Sequence, residues 1–497
     1  MRKIKYILGI AAILSLGACS KDFLETAPTE SIPAEDAFNT TSDAYAALNG
    51  IHRAMFFQYD AQDQAGQGSI MIDADLLGED LVMTTLGNSW FVSTYRWIDH
   101  RNASSSGLPR FAWKFYYKII SNANTIINKI DNCVGPDKDK NQIKGQAFAF
   151  RAWAYFNLVQ LYGKRYDVTT VPNTQLGVPL LLTNTIMGQP RATVEENYAQ
   201  INADLDSSFV RLSNTYARDA KSHINLKVAQ GLKARVALTM GDYTNAATYA
   251  ALARTGYTPM NTTQYRDGFS SITNPEWMWG SAQISDQTTY FYSFFAYMSL
   301  NFSSTNIRSN PKAINNLVYN KIPATDIRKQ LWWDGTPASW TSGAWTLPTT
   351  SFAKYAYMNR KFVVATYTSS VGDVVYMRAA EMYLIEAEAL ARSGQDGPAQ
   401  NALFTLVSTR DNAYVKSTST GATLIDEITT QRRIELWGEG FRFFDLKRTN
   451  SAMDRTGTNA VPSVSLIVTV PAGDPQWQFK IPKDELNANP AIQSQND

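Results

Sequence analysis

Apolar residues recur every three or four positions along much of this 497-residue chain, a pattern typical of amphipathic helices. In KGQAFAFRAWAYFNLVQLYG they are Phe148, Ala152, Tyr155, Val159 and Tyr162, and in YMRAAEMYLIEAEALARSG they are Met377, Ala380, Leu384, Ala387 and Ala391. Similar spacing predicts further helices at 41–56, 110–130, 194–212, 225–240, 244–254 and 425–437. The pattern therefore predicts a mostly α protein.

Two of these stretches share a helix–turn–helix pattern. They are LKARVALTMGDYTNAATYAALA and LIEAEALARSGQDGPAQNALFTL, in which Gly241 and Ala246 match Gly394 and Ala399. Small residues let two helices approach closely, as in tetratricopeptide hairpins. The two stretches lie far apart in the chain, so an uninterrupted solenoid is not predicted, and chance similarity between Ala-rich helices stays open.

Helical periodicity fades between residues 255 and 372, where Gly, Pro, Ser, Thr, Asn and aromatic residues prevail. NPEWMWGSAQ and YFYSFFAYMSLNF favour short strands or extended segments, and QLWWDGTPASWTSGAWTLP favours a loop. Long irregular inserts are usually functional or disordered, and the aromatic content argues against disorder. We therefore predict a helical region at 34–254, a loop-rich aromatic insert at 255–372 and a C-terminal region at 373–497.

The first residues predict export and lipid attachment. Three basic residues precede an apolar run at 7–18, which is shorter than the roughly 20 residues that a spanning helix needs. The tetrapeptide LGAC, which ends at Cys19, resembles the bacterial lipobox, in which the cysteine carries the lipid. We expect a signal peptide at 1–18, a lipid anchor at Cys19 and a tether at 19–33. An ordinary cleaved signal with a chance cysteine is the alternative.

The mature chain is nearly neutral. Removal of residues 1–18 deletes three of the 46 basic residues and none of the 44 acidic ones, which leaves 43 against 44. A nucleic-acid partner therefore has no electrostatic support. The other cysteine is Cys133, so lipidation of Cys19 would leave no intramolecular disulfide, and stability must come from a large core.

Familiar catalytic and cofactor motifs do not occur in the sequence. It contains no P-loop, dinucleotide fingerprint, H-E-x-x-H or C-x-x-C, and its three histidines are scattered. This argues against a metal site built on imidazole or thiolate and against a Ser-His-Asp triad. Acidic pairs such as Asp73 with Asp75 do not by themselves place two carboxyls across a glycosidic bond. We predict a protein that is not an enzyme and needs no cofactor, although acidic loops leave calcium binding open.

Aromatic residues gather in polar loops, notably in NSWFVSTYRWIDHRN and in the middle of the chain. A flat ring pairs with the C–H face of a sugar, while nearby amides and hydroxyls bond its hydroxyl groups. Ordinary core packing is the alternative for each ring. The candidate ligand-binding residues are Trp90, Trp97, Asn102, Tyr290, Tyr292, Trp332, Trp340 and Trp345.

Charged residues recur in TTQRRIELWGEGFRFFDLKR at spacings of three or four. They are Arg432, Glu435, Glu439, Arg442, Asp445 and Arg448. Opposite charges at this spacing pair along a helix face. Aromatic residues lie between them, so we expect part of this ladder to be buried and its role to be structural.

Ordered motifs along the whole chain resemble those of the SusD/RagB lipoproteins of Bacteroidetes. In chain order they are CSKDFLETAPTESIPAEDAF, TTSDAYAALNGIHRAM, WKFYYKIISNANTII, FRAWAYFNLVQLYGKRYDV, ATDIRKQLW, VYMRAAEMYLIEAEAL, RRIELWGEGFRFFDLKR and FKIPKDELNANPAIQSQN. The resemblance implies a SusD-like fold, in which four tetratricopeptide-like helix pairs pack against an irregular loop-rich region with few short strands.

The resemblance also implies a function. Family members are non-catalytic, surface-exposed lipoproteins of the cell outer membrane that capture a nutrient and cap a SusC-like TonB-dependent transporter. The ligand is usually an oligosaccharide or polysaccharide, and in the RagB branch it is a peptide. Trp97, Asn102 and the tryptophans at 332–345 occupy places comparable to the family's aromatic arc. We expect glycan binding for uptake; the alternatives are peptide capture and a helical scaffold that binds only protein.

Overall fold

Long helices supply most of the regular structure in the computed structural model, which describes residues 38–104, 107–213, 216–288, 290–342 and 347–497. The predicted signal peptide, the tether, Cys19 and Trp345 lie outside the described residues. No helix in the described part of the chain is both long and apolar enough to cross a membrane.

Helices of more than ten residues are labelled α1 to α10. They are α1 (Thr41–Ala54), α2 (Gly66–Leu76), α3 (Leu108–Lys129), α4 (Asp137–Tyr162), α5 (Val194–Arg211), α6 (Leu226–Met240), α7 (Tyr243–Arg254), α8 (Ala379–Arg392), α9 (Asp396–Val407) and α10 (Gly421–Glu435). Shorter helical segments are Val92–Tyr95, Asp99–Arg101, Ile130–Asn132, Thr262–Tyr265, Phe295–Met298, Thr305–Arg308, Asn316–Tyr319, Ile327–Leu331, Pro337–Ser342, Arg442–Arg448, Pro462–Ser465, Pro475–Trp477 and Lys483–Ala488.

Short antiparallel strand pairs fasten the loop-rich region to the helices. The strands are β1 (Leu81–Met83), β2 (Trp277–Ser281), β3 (Lys312–Ile314), β4 (Val374–Arg378), β5 (Met453–Asp454) and β6 (Thr469–Val470). β2 pairs with β4, β1 with β3, and β5 with β6. The chain between β2 and β4 is thus held at both ends, and β3 attaches its middle to the N-terminal half.

The helix α4 lies at the centre of the core. Its sequence predicts one apolar stripe, but every residue from Ala149 to Tyr162 is buried. Both α3 and α5 pack against it, and the buried Arg151 pairs with Asp204 of α5 at 2.6 Å. The prediction of a helix is confirmed, whereas the prediction of an amphipathic one is wrong because neighbouring elements cover all sides of this part of the helix.

The two predicted hairpins are present as α6–α7 and α8–α9. Gly241 and Gly394 at their turns have φ angles of +72° and +75°, a conformation that costs glycine little. Ala246 and Ala399 are fully buried. The two hairpins also adjoin, because α7 packs against α8. A shared local pattern therefore marks two neighbouring units of the fold.

The charged segment near residue 440 is not one continuous ladder. The helix α10 ends at Glu435, and the next helical segment begins at Arg442. Glu435 accepts hydrogen bonds from Arg328, Arg378 and Arg410, which come from distant parts of the chain. Burial opposes its charge, but these three guanidinium groups hold the pKa of Glu435 well below its usual range. The predicted burial is confirmed, but most of the pairing is tertiary.

The insert contains more helical turns than its sequence predicts. The segment NPEWMWGSAQ contains β2, as expected, but YFYSFFAYMSLNF contains the helical turn Phe295–Met298 instead of a strand. The predicted loop after Trp332 includes the short helix Pro337–Ser342. Aromatic side chains decide these shapes by packing inward, which a periodicity argument over a short window does not capture.

Candidate ligand-binding surface

The structure places two of the predicted platform residues, Trp97 and Trp332, inside the core. Each side chain is only 2% exposed. The ring of Trp97 lies 4.9 Å from that of Trp477 and 5.1 Å from that of His100. The ring of Trp332 lies 5.7 Å from that of Trp437. Neither ring offers a face to a ligand, so these two assignments are corrected to core packing.

Asn102 is exposed but lies among residues near the C-terminus. Its side-chain oxygen accepts a hydrogen bond from the backbone N–H of Ser104 at 3.1 Å. The next residue, Ala103, accepts a backbone hydrogen bond from Lys483. The described contacts therefore tie Asn102 to the segment after residue 480 and not to the aromatic loops.

Trp90 is presented by a tight loop after β1. Gly87, Ser89 and Phe91 all have positive φ angles of +49° to +68°, which non-glycine residues adopt at a cost and which often mark functional loops. The side chain of Asn88 donates to that of Asn306 at 3.3 Å, and the Thr85 hydroxyl donates to the Ser309 carbonyl at 2.7 Å. These contacts fasten the loop to the segment 302–310 and leave Trp90 half-buried at its tip.

A second group of rings surrounds Tyr290. This residue is 44% exposed, and the neighbouring Phe291 and Tyr367 are 40% and 47% exposed. The Tyr290 ring lies 4.8 Å from the buried ring of Phe302, and its hydroxyl donates to the Ser303 carbonyl at 3.4 Å. One side of the Tyr290 ring is thus supported, while the residue as a whole remains exposed. Tyr292, also predicted, is half-buried beside this group.

A third group contains Trp333 and Trp340. Their ring centroids are 5.0 Å apart in an edge-to-face arrangement, and both pack against a small cluster of Leu300 and Met358. The Trp333 indole N–H donates to the Thr336 carbonyl at 2.9 Å. Both residues are half-buried, so part of each remains accessible to solvent.

The segment 302–310 links these three groups into one region, which we call the aromatic surface. It is formed by Trp90, Tyr290, Phe291, Tyr292, Trp333, Trp340 and Tyr367. The segment holds Asn88 through Asn306, and its Ser303 backbone N–H donates to the Tyr367 carbonyl at 2.8 Å. Its Arg308 carbonyl accepts a hydrogen bond from the Ala353 backbone N–H at 2.8 Å. The residue after Ala353 is Lys354, whose ammonium lies 4.1 Å from the Trp340 ring centroid.

Polar groups of the kind that bind sugar hydroxyls border these rings. Asn88 and Thr305 are exposed, and Arg308 and Asn301 are partly so. Within the described part of the chain, the Arg308 guanidinium donates only to the Ser303 and Thr305 hydroxyls, at 3.3 and 3.5 Å. Rings with adjacent amides, hydroxyls and cations can stack on a sugar and bond its substituents at once.

A buried lysine lies beneath the loop that carries Trp90. Lys312 on β3 is 3% exposed, and its ammonium nitrogen donates to the Asn310 carbonyl at 3.0 Å. Burial lowers the pKa of Lys312 to about 7. Asn310 accepts a long hydrogen bond from the Thr85 backbone N–H at 3.4 Å. Lys312 therefore supports the base of the loop and does not reach the ligand side.

Sequence reasoning missed several residues of the aromatic surface. Trp333 falls within the tryptophans at 332–345 to which the resemblance points, but the candidate set names Trp332 and omits Trp333. Period-two alternation would have separated the two, because in the extended chain around Trp332 successive side chains point in opposite directions. Tyr367 and Asn306 carry no local signal, because only the tertiary contacts of segment 302–310 bring them to this surface.

Among the described residues, no group of three or more His, Cys, Asp or Glu side chains could hold a metal ion. Cys133 is buried, and its thiol donates to the Phe38 carbonyl at 3.1 Å.

The fold and this surface define a helical binding protein with exposed rings on its loops. A family model described as the SusD family matches residues 242–497, and a model described as starch-binding, associating with the outer membrane, matches residues 36–238. The chain therefore belongs to the SusD family. Members of this carbohydrate-binding family act as binding proteins rather than as enzymes.

Individual relatives agree with this assignment. SusD-like protein P2 of Formosa agariphila is 26% identical, over 93% of this chain and 93% of that protein. A SusD-like carbohydrate binding protein from Bacteroides vulgatus has a TM-score of 0.77 at 27% identity, covering 92% of this chain and 98% of that one. A laminarin binding SusD-like protein has a TM-score of 0.70 at 20% identity, covering 92% and 99%. The mostly helical, SusD-like fold is thereby confirmed.

Proposed function

We propose that this protein is a non-catalytic surface lipoprotein that binds an oligosaccharide or polysaccharide on the aromatic surface. The observation that carries the proposal is the continuity of that surface. Segment 302–310 contacts the loop of Trp90 and the Tyr290 hydroxyl, and it bonds Ala353, next to the Lys354 that lies over the Trp340 ring. The laminarin-binding relative supports a glycan over a peptide. The particular sugar and linkage are left to experiment.

We further propose that the protein is the lid of a SusC-like TonB-dependent transporter in the outer membrane. Isolated sugar sites of this kind bind with affinities of about micromolar to millimolar. A lipid at Cys19 and a transporter below the lid would confine both partners to one surface, which raises the effective concentration without any new contact. The outer-membrane association in the family description supports this location.

The test of the binding site is a glycan and peptide screen with the full mature chain carrying Cys19→Ala. We expect binding to at least one glycan, and weaker binding for Trp90→Ala, Tyr290→Ala and Trp340→Ala. Phe57→Ala is the matched control, because Phe57 is 45% exposed and contacts Tyr59 and Lys118, which lie outside the aromatic surface. Peptide binding without glycan binding, or unchanged glycan affinity in all three variants, would contradict the proposal.

The test of the lid is copurification from outer membranes. Wild-type protein is expected to remain in the membrane fraction and to copurify with a large β-barrel transporter. Cys19→Ala is expected to release a folded protein that still binds glycan but no longer supports uptake. Uptake that persists at the wild-type rate with the released protein would show that anchoring is unnecessary.

A further inference from the structure

Two arginines close in the chain to backbone that supports the aromatic surface, Arg266 and Arg360, have no acidic partner among the described residues. Arg266 and Arg360 are both partly buried. Within the residues that the structure describes, neither guanidinium makes an ion pair with a carboxylate. Arg266 donates to the side chain of Gln330, and its Nε atom is buried without a partner. Among other half-buried arginines, Arg235 pairs with Glu381 at 2.6 Å, and Arg191, which has no described ion pair, donates to the Gly177 carbonyl at 2.7 Å.

Backbone contacts bring these two arginines together. The Arg360 backbone N–H donates to the Leu331 carbonyl at 2.7 Å, which is adjacent in the chain to the Gln330 that Arg266 contacts. Burial and the positive charge of Arg266 lower the pKa of Arg360. Two like charges held near each other cost free energy unless an anion lies between or beside them.

The same pair borders the tryptophan cluster. The Val363 backbone N–H donates to the Gly268 carbonyl at 2.9 Å, and Val363 packs on the cluster that contains Trp333 and Trp340. Arg266 precedes Gly268 by two residues, and Arg360 precedes Val363 by three. Both arginines therefore lie within three residues of a backbone hydrogen bond whose Val363 packs, like the two tryptophans, against Leu300 and Met358.

Other cations near the rings make no ion pair with a carboxylate of the described residues. The Lys354 ammonium lies over the Trp340 ring, and Arg308 donates to the Ser303 and Thr305 hydroxyls. Asp267 is exposed beside Arg266 but pairs with neither arginine. The acidic Asp334 also lies next to Trp333, so these four cations outnumber the two neighbouring acidic residues, whereas the mature chain as a whole is nearly neutral.

We propose that Arg266 and Arg360 bind an anionic substituent of the glycan, so that the substrate is an acidic polysaccharide bearing carboxylate or sulfate groups. The inference rests on the proposed glycan-binding function and narrows its substrate class. A guanidinium presents paired N–H donors that match both carboxylate and sulfate oxygens. The tryptophans stack on the sugar ring, and the arginines select for its charge.

The experiment compares matched charged and neutral polymers. The full mature chain with Cys19→Ala is titrated with dextran sulfate against dextran, and with polygalacturonate against its methyl ester. Tighter binding to at least one charged member is expected, with an affinity that falls as salt rises. The double variant R266Q/R360Q should lose about tenfold or more of that affinity, because charge-assisted hydrogen bonds are lost, while binding of a neutral glycan stays unchanged.

The controls separate specific from general electrostatic effects. K144Q removes a partly buried cation that pairs with the exposed Asp131, outside the aromatic surface, and is expected to bind like wild type. If the double variant unfolds, R360Q alone replaces it in the titrations, because the Arg360 side chain has no described hydrogen bond to lose. An unchanged affinity in R266Q/R360Q or in R360Q, or a loss of equal size in K144Q, overturns the inference.

Three further outcomes are distinguishable. Binding of neutral glycans with no preference for charged ones overturns the inference and leaves the proposed function standing. Failure to bind any glycan overturns both. If inorganic sulfate binds as tightly as the charged polymer, the arginine pair binds a free anion. That result would overturn the inference that the anion belongs to a glycan.

Discussion

The helical framework buries charged side chains, whereas the aromatic surface leaves aromatic rings exposed. In the framework, even charged side chains are buried, and Glu435, Arg378 and Arg410 each find partners within 3.3 Å. On the aromatic surface, apolar rings such as Tyr290 remain exposed, and backbone hydrogen bonds hold them in place. A rigid scaffold keeps its structural charges inside and places the rings that bind ligand on its surface.

Two neighbouring tryptophans show the same contrast between a buried and a surface ring. Trp332 is enclosed against Trp437, whereas Trp333 lies at the surface beside Trp340. Substitutions in the framework should therefore change stability, and substitutions on the surface should change binding.

The largest effect is expected at the buried charge cluster. Glu435→Gln would leave Arg328, Arg378 and Arg410 without their shared carboxylate. Breaking such a buried group costs about 3–5 kcal/mol of unfolding free energy, measured by denaturant titration. Arg308→Gln on the aromatic surface is the control and should change stability by less than about 0.5 kcal/mol. Equal effects would contradict the distinction between the two regions.

A buried histidine makes the stability of the framework depend on pH. Burial lowers the pKa of His100 to about 3, whereas the unfolded value is about 6.5. The unfolded chain therefore binds the proton first, and the stability that neutral His100 provides is present above pH 6.5 and lost as pH falls. Relative to His100→Gln, wild type should lose about 2 kcal/mol between pH 7 and pH 5. A parallel pH profile for the two proteins would refute this.

The hairpin turns offer a matched pair of glycines. Both Gly241 and Gly394 have positive φ, but an added Cβ would meet Val168 at 2.4 Å in the first and open space in the second. Gly241→Ala should lower the unfolding free energy by at least about 1 kcal/mol more than Gly394→Ala. Equal losses would mean that backbone strain alone sets the cost.

The smallest stability effect is expected where the framework meets the surface. Thr85→Val removes the hydroxyl that donates to Ser309 and accepts from the Gly87 backbone N–H. One such hydrogen bond contributes about 1 kcal/mol, so the melting temperature should fall slightly. Because the loop carries Trp90, glycan affinity should fall several-fold; unchanged affinity would show that the loop is positioned by other contacts.

The sequence predicts the framework better than the surface, for a physical reason. Helices α6 to α9 follow from local spacing and from two turn glycines, which act within a few residues. The exposure of Trp333 and the burial of Trp332 depend on Trp437 and Met358, which lie far away in the chain. Composition could identify aromatic loops, but only tertiary packing decides which rings face the solvent.

The most direct test of this account is to measure stability and glycan affinity together for Trp332→Ala and Trp340→Ala. We expect Trp332→Ala to lose about 3–5 kcal/mol of unfolding free energy and, where it remains folded, to bind glycan with nearly wild-type affinity. Trp340→Ala should stay within about 1 kcal/mol of wild type and bind at least about tenfold more weakly. The reverse pattern, with binding lost on removal of the buried ring and retained on removal of the surface ring, would contradict the account.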